Sequence, residues 1–294
     1  MAVVGRIPLR YCQIEDANAI THAVSSGRRR PACVAATGYG KGALVAEMAG
    51  RLTLGGTGKV LVLLDRSHLV HQLADEIERH LDVTCGRVAD GVCDGINRRI
   101  VVSTVQAQFT PDRERRPLYE YPQFRDVGAV IIDEGHKFFA DRFRRVADHF
   151  SDSCAAIIGF TATPVASNGD AWESFFDWTA KAEGPAMRTV PWCVRNGYLV
   201  PPKQVFVRVE LDLSEIHERL VRGEEDPDDE DTGDELSGLL IDLLSKNAER
   251  AAATFAAGVA DVIGRRRAII FAPPRVTAAK LLAAWLNATG RVDL

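Results

Sequence analysis

The chain has 294 residues, of which 46% are hydrophobic and 26% charged, as is typical of a globular protein with one large or two smaller domains. Its formal net charge of −4 argues against a uniformly basic surface, but nine acidic residues and no basic residue lie between residues 223 and 235. Removing those nine negative charges from −4 leaves +5 for the remainder. The body of the chain is therefore mildly basic, which permits binding to a phosphate backbone without requiring it.

Cysteine usage and hydropathy argue against two further classes of protein. The six cysteines include no C-x-x-C pair, so we expect free thiols in a reducing compartment and no zinc site. The amino-terminal residues lack an apolar segment of signal-peptide length, and no apolar run approaches the ~20 residues of a membrane span. We therefore expect a cytoplasmic protein with no membrane partner.

Short apolar runs alternate with helical patterns along the first half of the chain. The segment Ser67–Leu81 predicts a helix with one apolar stripe and Ser67 as its N-cap. The apolar runs, rich in Val, Ile, Leu and Ala, are residues 32–36, 60–64, 100–102, 129–132 and 155–158. Runs of this kind are expected of parallel strands covered on both faces. We predict an α/β fold, a doubly wound parallel sheet that binds its ligand outside the carboxyl ends of the strands.

A glycine-rich loop follows the first apolar run and precedes a helical pattern over residues 42–52. The loop and the first residues after it are Ala36, Thr37, Gly38, Tyr39, Gly40, Lys41 and Gly42. The two loop glycines let the backbone approach phosphate groups, and Lys41 can reach the terminal ones. Ser or Thr usually follows this lysine because its hydroxyl binds Mg²⁺, so Gly42 removes one direct metal ligand. We predict that residues 37–42 bind a nucleotide; taken alone, the loop could also be a turn before a helix.

Adjacent carboxylates end the apolar run at residues 129–132. Asp133 is placed to hold Mg²⁺, and Glu134 to orient or deprotonate an attacking water. Because the carboxyl ends of parallel strands meet at one edge of a sheet, these side chains should lie near the glycine-rich loop. The two motifs together predict an ATP hydrolysis site with ATP and Mg²⁺ as cofactors and with Lys41, Asp133 and Glu134 as catalytic residues.

A third segment follows the next apolar run and reads Gly159-Phe160-Thr161-Ala162-Thr163-Pro164. With it the chain resembles the DEAD/DEAH-box superfamily 2 helicases, in the branch of restriction enzymes and DNA translocases. The resemblance implies a RecA-like P-loop NTPase lobe, with Thr161 and Thr163 relaying the nucleotide state and His136 linking them to the ATP site. Asp133-Glu134-Gly135-His136 departs from the family's Asp-Glu-Ala-Asp or Asp-Glu-Ala-His only at the glycine. A capped turn at a strand end is the alternative interpretation of the threonines.

The same resemblance extends to three further segments. Leu9-Arg10-Tyr11-Cys12-Gln13 is similar to the family's opening segment, in which the glutamine reads the adenine edge, so Gln13 is expected to select adenine. The strand-end Arg66 stands where relatives approach the nucleic-acid backbone. The hydroxyls of Ser103 and Thr104 stand where relatives hold phosphate oxygens, although strand-end capping explains them equally well. Exposed polar residues before a helix are the alternative for Gln13.

We predict three regions along the chain: a helicase ATP-binding domain (1–204), an extended segment with an acidic linker (205–236), and an incomplete second RecA-like lobe (237–294). The stretch 194–202 is similar to the Gly-Tyr-Leu-Val-Pro segment that closes the first lobe in restriction-type relatives, and 267–280 to the first strand and helix of the second lobe. The resemblance implies that the chain stops before an arginine finger, a group worth ~10³-fold or more in rate. We expect a fragment whose missing second lobe or partner subunit completes the site.

These observations favour an ATP-dependent helicase or translocase that moves on nucleic acid, DNA rather than RNA. The main alternative is a module that binds nucleotide together with nucleic acid or a protein and does not turn over ATP. Gly42 and the absent arginine finger both favour that alternative. A further possibility within the enzyme class is the motor subunit of a restriction system or a phage recombination helicase.

Overall fold

The structure is a computed structural model of the chain, which divides into two compact units, Met1–Pro201 and Pro202–Leu294. The residues that it describes, all in the first unit, are 4–109, 116–135, 141–151, 154, 156–164, 175–179 and 187–201. The predicted linker and second lobe, residues 205–294, lie outside the described residues. Among the described residues, no helix is both long enough and apolar enough to span a membrane.

The described part of the chain contains five α-helices, nine strands and three single-turn 3₁₀ helices. The helices are α1 (Tyr11–Ser25), α2 (Lys41–Leu54), α3 (Ser67–Leu81), α4 (Asp141–Ser151) and α5 (Val190–Arg195). The strands are β1 (Pro31–Ala35), β2 (Lys59–Leu64), β3 (Gly86–Ala89), β4 (Val92–Asp94), β5 (Ile100–Thr104), β6 (Val127–Asp133), β7 (Ala156–Thr161), β8 (Trp178–Thr179) and β9 (Met187–Arg188). Every apolar run that predicted a strand forms one, with bounds shifted by up to three residues.

All nine strands form one sheet in the order β4-β3-β5-β2-β6-β7-β1-β8, and β9 also pairs with β1. Every pairing is parallel except that of β3 with β4, which is an antiparallel hairpin at the edge. The predicted α/β fold with a doubly wound parallel sheet is therefore confirmed, and the hairpin makes the sheet mixed. Sequence patterns missed the hairpin because the residues of β4 are exposed and carry no apolar periodicity.

The central strands are buried because helices or loops cover both faces of the sheet. In β2, Val60, Val62 and Leu64 pack with α1, α2 and α3, whereas Leu61 and Leu63 pack with α4 on the opposite face. This alternation follows from the two-residue repeat of a strand. Two apolar faces explain why the run is continuous rather than alternating.

The predicted helix Ser67–Leu81 has the predicted bounds, and its apolar side faces the sheet. Its N-cap is Arg66 rather than Ser67, so that detail of the prediction is wrong. Ser67 is the first helical residue, and its hydroxyl donates a hydrogen bond to the Asp90 carboxylate instead.

Candidate nucleotide site and strand-end surface

Three neighbouring strands bring the three motifs to one edge of the sheet. Strand β7 lies between β1 and β6. Val34 of β1 pairs with Thr161 of β7, and Phe160 of β7 pairs with Asp133 of β6. The glycine-rich loop, Thr161 and Asp133 therefore lie at the same level, at the carboxyl ends of adjacent parallel strands, where open α/β sheets bind ligands.

The glycine-rich loop makes a tight turn into α2. Gly38 and Gly40 have φ angles of 84° and 92°, a left-handed conformation that residues with a Cβ rarely adopt. Thr37, Gly38 and Gly40 are exposed, whereas the Tyr39 side chain is fully buried. The loop thus presents its backbone to solvent at the N-terminus of a helix, where the N–H groups favour anions.

Lys41 is the first residue of α2, and its Nζ donates to the Ala35 carbonyl at 3.2 Å. Burial and the Glu134 carboxylate raise the pKa of Asp133, the last residue of β6, and the Lys41 charge partly counteracts this rise. The loop lysine and the strand-end carboxylate are therefore close enough to act on one another, although 92 positions separate them in the sequence.

The Asp133 carboxyl group lies in an environment that disfavours its ionised form. Burial and the neighbouring Glu134 carboxylate raise its pKa to about 6, and these effects outweigh Lys41 and the Glu134 backbone N–H, which donates to Asp133 Oδ1 at 3.0 Å. A partly desolvated carboxylate beside a second carboxylate is electrostatically unfavourable, and a bound cation would reduce that unfavourable energy. The donor set therefore fits a bound Mg²⁺, which prefers carboxylate oxygen.

Glu134 has a left-handed backbone, with φ of 54°. This conformation is uncommon for a residue with a side chain and often marks a functional turn. The turn follows directly after Asp133, the last residue of β6. His136, expected to link the ATP site to the third motif, lies outside the described residues.

Replacing Asp133 with asparagine is expected to stabilise the metal-free chain at neutral pH. Asp133 ionises at about pH 4 in an unfolded chain but at about pH 6 when folded. As pH rises through this window the unfolded state loses its proton first, so the wild type loses stability that the asparagine variant keeps. We expect Asp133→Asn to raise the free energy of unfolding by about 1–3 kcal/mol at pH 8, and by progressively less toward pH 4. Urea denaturation in metal-free buffer measures this; a difference that does not depend on pH would contradict it.

The two threonines of the third motif contact each other. Thr161 is fully buried, and its Oγ1 donates to the Thr163 carbonyl and accepts the Thr163 backbone N–H, both at 3.1 Å. Thr163 itself is exposed at the strand end. This hydrogen bonding is that of a capped turn. The turn also lies beside the glycine-rich loop and Asp133, which is the position that a relay of the nucleotide state requires.

Gln13 lies inside α1 rather than on an exposed segment before it, and it is 4% exposed. Its amide Nε2 donates to the carbonyls of Tyr39 and Gly40 at 3.2 and 3.1 Å, and its Oε1 accepts the Arg10 backbone N–H at 2.8 Å. The alternative of an exposed polar residue is therefore wrong. Gln13 supports the glycine-rich loop directly, so α1 and the loop form one unit.

A buried ion pair that sequence patterns missed also anchors the loop. Arg188 of β9 donates to Asp16 of α1 at 2.9–3.0 Å, and the Tyr39 hydroxyl donates to the same carboxylate. Asp16 and Arg188 are 0% and 4% exposed, and a second pair to Glu15 lies at the rim. Burial and Asp16 hold the pKa of Tyr39 far above its usual range, so its hydroxyl remains a donor. No local signal relates residues 172 positions apart.

The residues expected to hold nucleic acid lie beyond β6, at the ends of β2 and β5. An open depression of about 750 Å³ is lined there by Arg66, His68, Thr104 and Gln106, among others. Arg66 is exposed, whereas the Thr104 hydroxyl accepts the Ala107 N–H. Ser103 is fully buried: its hydroxyl donates to the Thr104 carbonyl and accepts from Gln108 Nε2. The structure thus brings Arg66 and Thr104 together and places Ser103 beneath the surface.

Comparisons with known proteins show which family the chain matches. Residues 6–166 match the family model ResIII, described as "Type III restriction enzyme, res subunit". The "Type I restriction enzyme EcoAI endonuclease subunit" of Escherichia coli is 28% identical over 214 residues, covering 71% of this chain and 25% of that protein. A protein of Saccharomyces cerevisiae provisionally named an ATP-dependent helicase, IRC3, is 26% identical over 220 residues, covering 71% and 30%. The chain thus spans between a quarter and a third of these relatives.

A solved structure supports the fold. A fragment of a provisionally assigned HsdR subunit of a type I restriction enzyme from Vibrio vulnificus matches 98% of this chain and 47% of its own, with a TM-score of 0.59 and 20% identity. The family match covers more than half of the chain and includes the glycine-rich loop, Asp133 and Thr161. The chain therefore belongs to the ResIII family of superfamily 2 helicase and restriction-enzyme ATPase domains, and its described residues form a single RecA-like lobe.

Proposed function

We propose that this chain is the ATP-hydrolysing motor domain of a nucleic-acid helicase or translocase of restriction type. The observation that carries the proposal is that the glycine-rich loop with Lys41 and the Asp133 carboxyl lie at the carboxyl ends of the parallel strands β1 and β6, on either side of β7. A phosphate-binding loop and a metal-binding carboxylate must face the same phosphate group, and their meeting at one edge satisfies that requirement.

Each residue of the site has a separate task in the proposed reaction. The exposed backbone of Gly38 and Gly40 receives the phosphates at the N-terminus of α2. Lys41 exchanges its bond to the Ala35 carbonyl for the terminal phosphates. Asp133 holds Mg²⁺, which when bound neutralises charge on the phosphates. Glu134 orients the attacking water and accepts its proton.

The strand-end depression is the proposed contact with nucleic acid. Arg66 is exposed there, where it can meet a backbone phosphate, and Thr104 lines the same depression; the buried Ser103 supports it from beneath. DNA is favoured over RNA because the Escherichia coli relative is named as a subunit of a restriction endonuclease. A second lobe or partner subunit, supplying an arginine to the ATP site, completes the proposed motor.

Hydrolysis of ATP by the full chain, alone and with single-stranded DNA, duplex DNA or RNA, tests the proposal. We expect turnover that DNA stimulates and that Lys41→Ala lowers by at least about 10²-fold. Arg98→Ala is a matched control, since Arg98 is an exposed cation next to the amino end of β5, at the opposite edge of the sheet. Equal turnover in Lys41→Ala and wild type would contradict the site, and stimulation by RNA alone would contradict the choice of DNA.

A nucleotide-dependent binding module is the second candidate, and Gly42 favours it because a metal-binding hydroxyl is missing after Lys41. In the same experiment it predicts ATP binding that Lys41→Ala abolishes, together with no turnover under any condition.

A further inference from the structure

The residue after the loop lysine is a glycine, and a side chain from another helix fills the space that this glycine leaves. A Cβ built on Gly42 would lie 2.2 Å from Glu76 Oε2 and 2.9 Å from Glu76 Cδ. Real Cβ atoms do not approach other atoms so closely. The Glu76 carboxylate, carried by α3, therefore lies where a serine or threonine side chain at position 42 would be.

Glu76 makes no hydrogen bond or ion pair within the part of the chain that the structure describes. The other two acids of α3, Asp75 and Glu78, both pair with Arg87, at 2.7 and 2.8 Å. Within the described ranges Glu76 makes no such pair, although it is half-buried. A partly desolvated carboxylate without a bonded partner is unfavourable unless another group compensates it.

The basic groups that act electrostatically on Glu76 are engaged with other partners. Arg79 and His80 act on it from its own helix. The His80 Nε2 lies 2.9 Å from the Glu47 carboxylate, and Arg79 Nε donates to the Asp75 carbonyl at 3.2 Å. Glu76 is thus left facing the first turn of α2, the turn that begins with Lys41.

We propose that Glu76 supplies, at the Mg²⁺–nucleotide site, the oxygen ligand that Gly42 lacks. The inference rests on the proposed function, because it assigns a further residue to the same site. Carboxylate oxygen suits Mg²⁺ at least as well as a hydroxyl does. A carboxylate also differs from a hydroxyl in charge, and this difference has a consequence that can be measured.

The charge of Glu76 makes nucleotide binding depend strongly on the metal. Without Mg²⁺, a carboxylate at the N-terminus of α2 repels the phosphates and competes with them for the positive end of the helix. With Mg²⁺, the same carboxylate would help to hold the ion and so would favour the nucleotide rather than repel it. Removing the charge should therefore have opposite effects in the two conditions.

Titration of the full chain with a fluorescent ATP analogue, in Mg²⁺ and in EDTA, tests the proposal with Glu76→Gln. We expect affinity in Mg²⁺ to fall about 10-fold, with a matching rise in the half-saturating Mg²⁺ concentration, and affinity in EDTA to stay equal or increase. Asp75→Asn is the matched control, since it removes an exposed charge from the neighbouring position of the same helix. A structural role for Glu76 would lower the melting temperature and leave the Mg²⁺ dependence unchanged, which would overturn the proposal.

A double substitution provides an independent test. Glu76→Ala alone removes the carboxylate beside Gly42 and is expected to weaken binding in Mg²⁺. Gly42→Ser combined with Glu76→Ala opens the space and restores a hydroxyl, so we expect Mg²⁺-dependent affinity within about 3-fold of wild type. Failure of this rescue, with the variant folded, contradicts the proposal. If nucleotide binding by the wild type does not depend on Lys41, the proposed function fails as well. If binding does depend on Lys41 but Glu76→Gln leaves it unchanged, only this inference fails.

Discussion

Replacement of Glu134 with glutamine is expected to lower the rate of ATP hydrolysis by about 10²–10⁴-fold, the usual contribution of a general base. Glutamine keeps the size and the hydrogen-bonding oxygen of the side chain but cannot accept a proton from water. The left-handed backbone at position 134 imposes the same demand on both residues. The substitution should therefore change chemistry far more than stability.

Two measurements separate this effect from misfolding or lost binding. Turnover at saturating Mg²⁺–ATP should fall, while the dissociation constant of the nucleotide changes by less than about 3-fold, since Glu134 acts on the water and not on the phosphates. Glu120→Gln is a suitable control, because Glu120 is exposed on a short turn before β6. If turnover by Glu134→Gln stayed within a factor of two of wild type, Glu134 would not be the general base.

Replacement of Arg188 with methionine is expected to destabilise the folded chain by about 3–5 kcal/mol, as is typical when one partner of a buried ion pair is removed. The change leaves the Asp16 carboxylate buried without the Arg188 guanidinium, while the Tyr39 hydroxyl still donates to it. Because that hydroxyl belongs to the glycine-rich loop, we also expect weaker nucleotide binding.

Urea denaturation of the full chain measures the change in the free energy of unfolding. Glu15→Gln is the control: Glu15 bonds the same guanidinium at 3.1 Å, but its side chain is 40% exposed. Because the Glu15 carboxylate is partly solvated, we expect its replacement to cost less than about 1 kcal/mol. If the two variants lost similar free energies of unfolding, burial of the Arg188–Asp16 pair would not contribute more to stability than the partly exposed pair does.

Much of the candidate site at the sheet edge could be predicted from local sequence signals. The runs that became β1, β6 and β7 are apolar over four or five residues, because both faces of the sheet are covered. Each is followed directly by a glycine-rich, acidic or threonine-containing segment. Placing those segments at one edge required only the rule that parallel strands end on the same side.

Other elements carry no such local signal. The edge hairpin β3–β4 is short, and β4 is exposed, so its pairing depends on the free edge of β5 rather than on its own composition. The strands β8 and β9 have two residues each and exist because they pair with β1. Hydropathy cannot detect elements that depend on a neighbouring strand for their formation.

The nature of the fold and the position of the glycine-rich loop were encoded in residues that are close together in the sequence, because periodicity and turn chemistry act over a few positions. The partners of the loop depend on packing between distant elements. Gln13 donates to the loop carbonyls, Arg188 fixes Asp16 and Tyr39, and Glu76 fills the space beside Gly42. Those contacts exist because α1, α3 and β9 are brought against one loop when the apolar faces of the sheet are covered, and no pattern within any one segment specifies them.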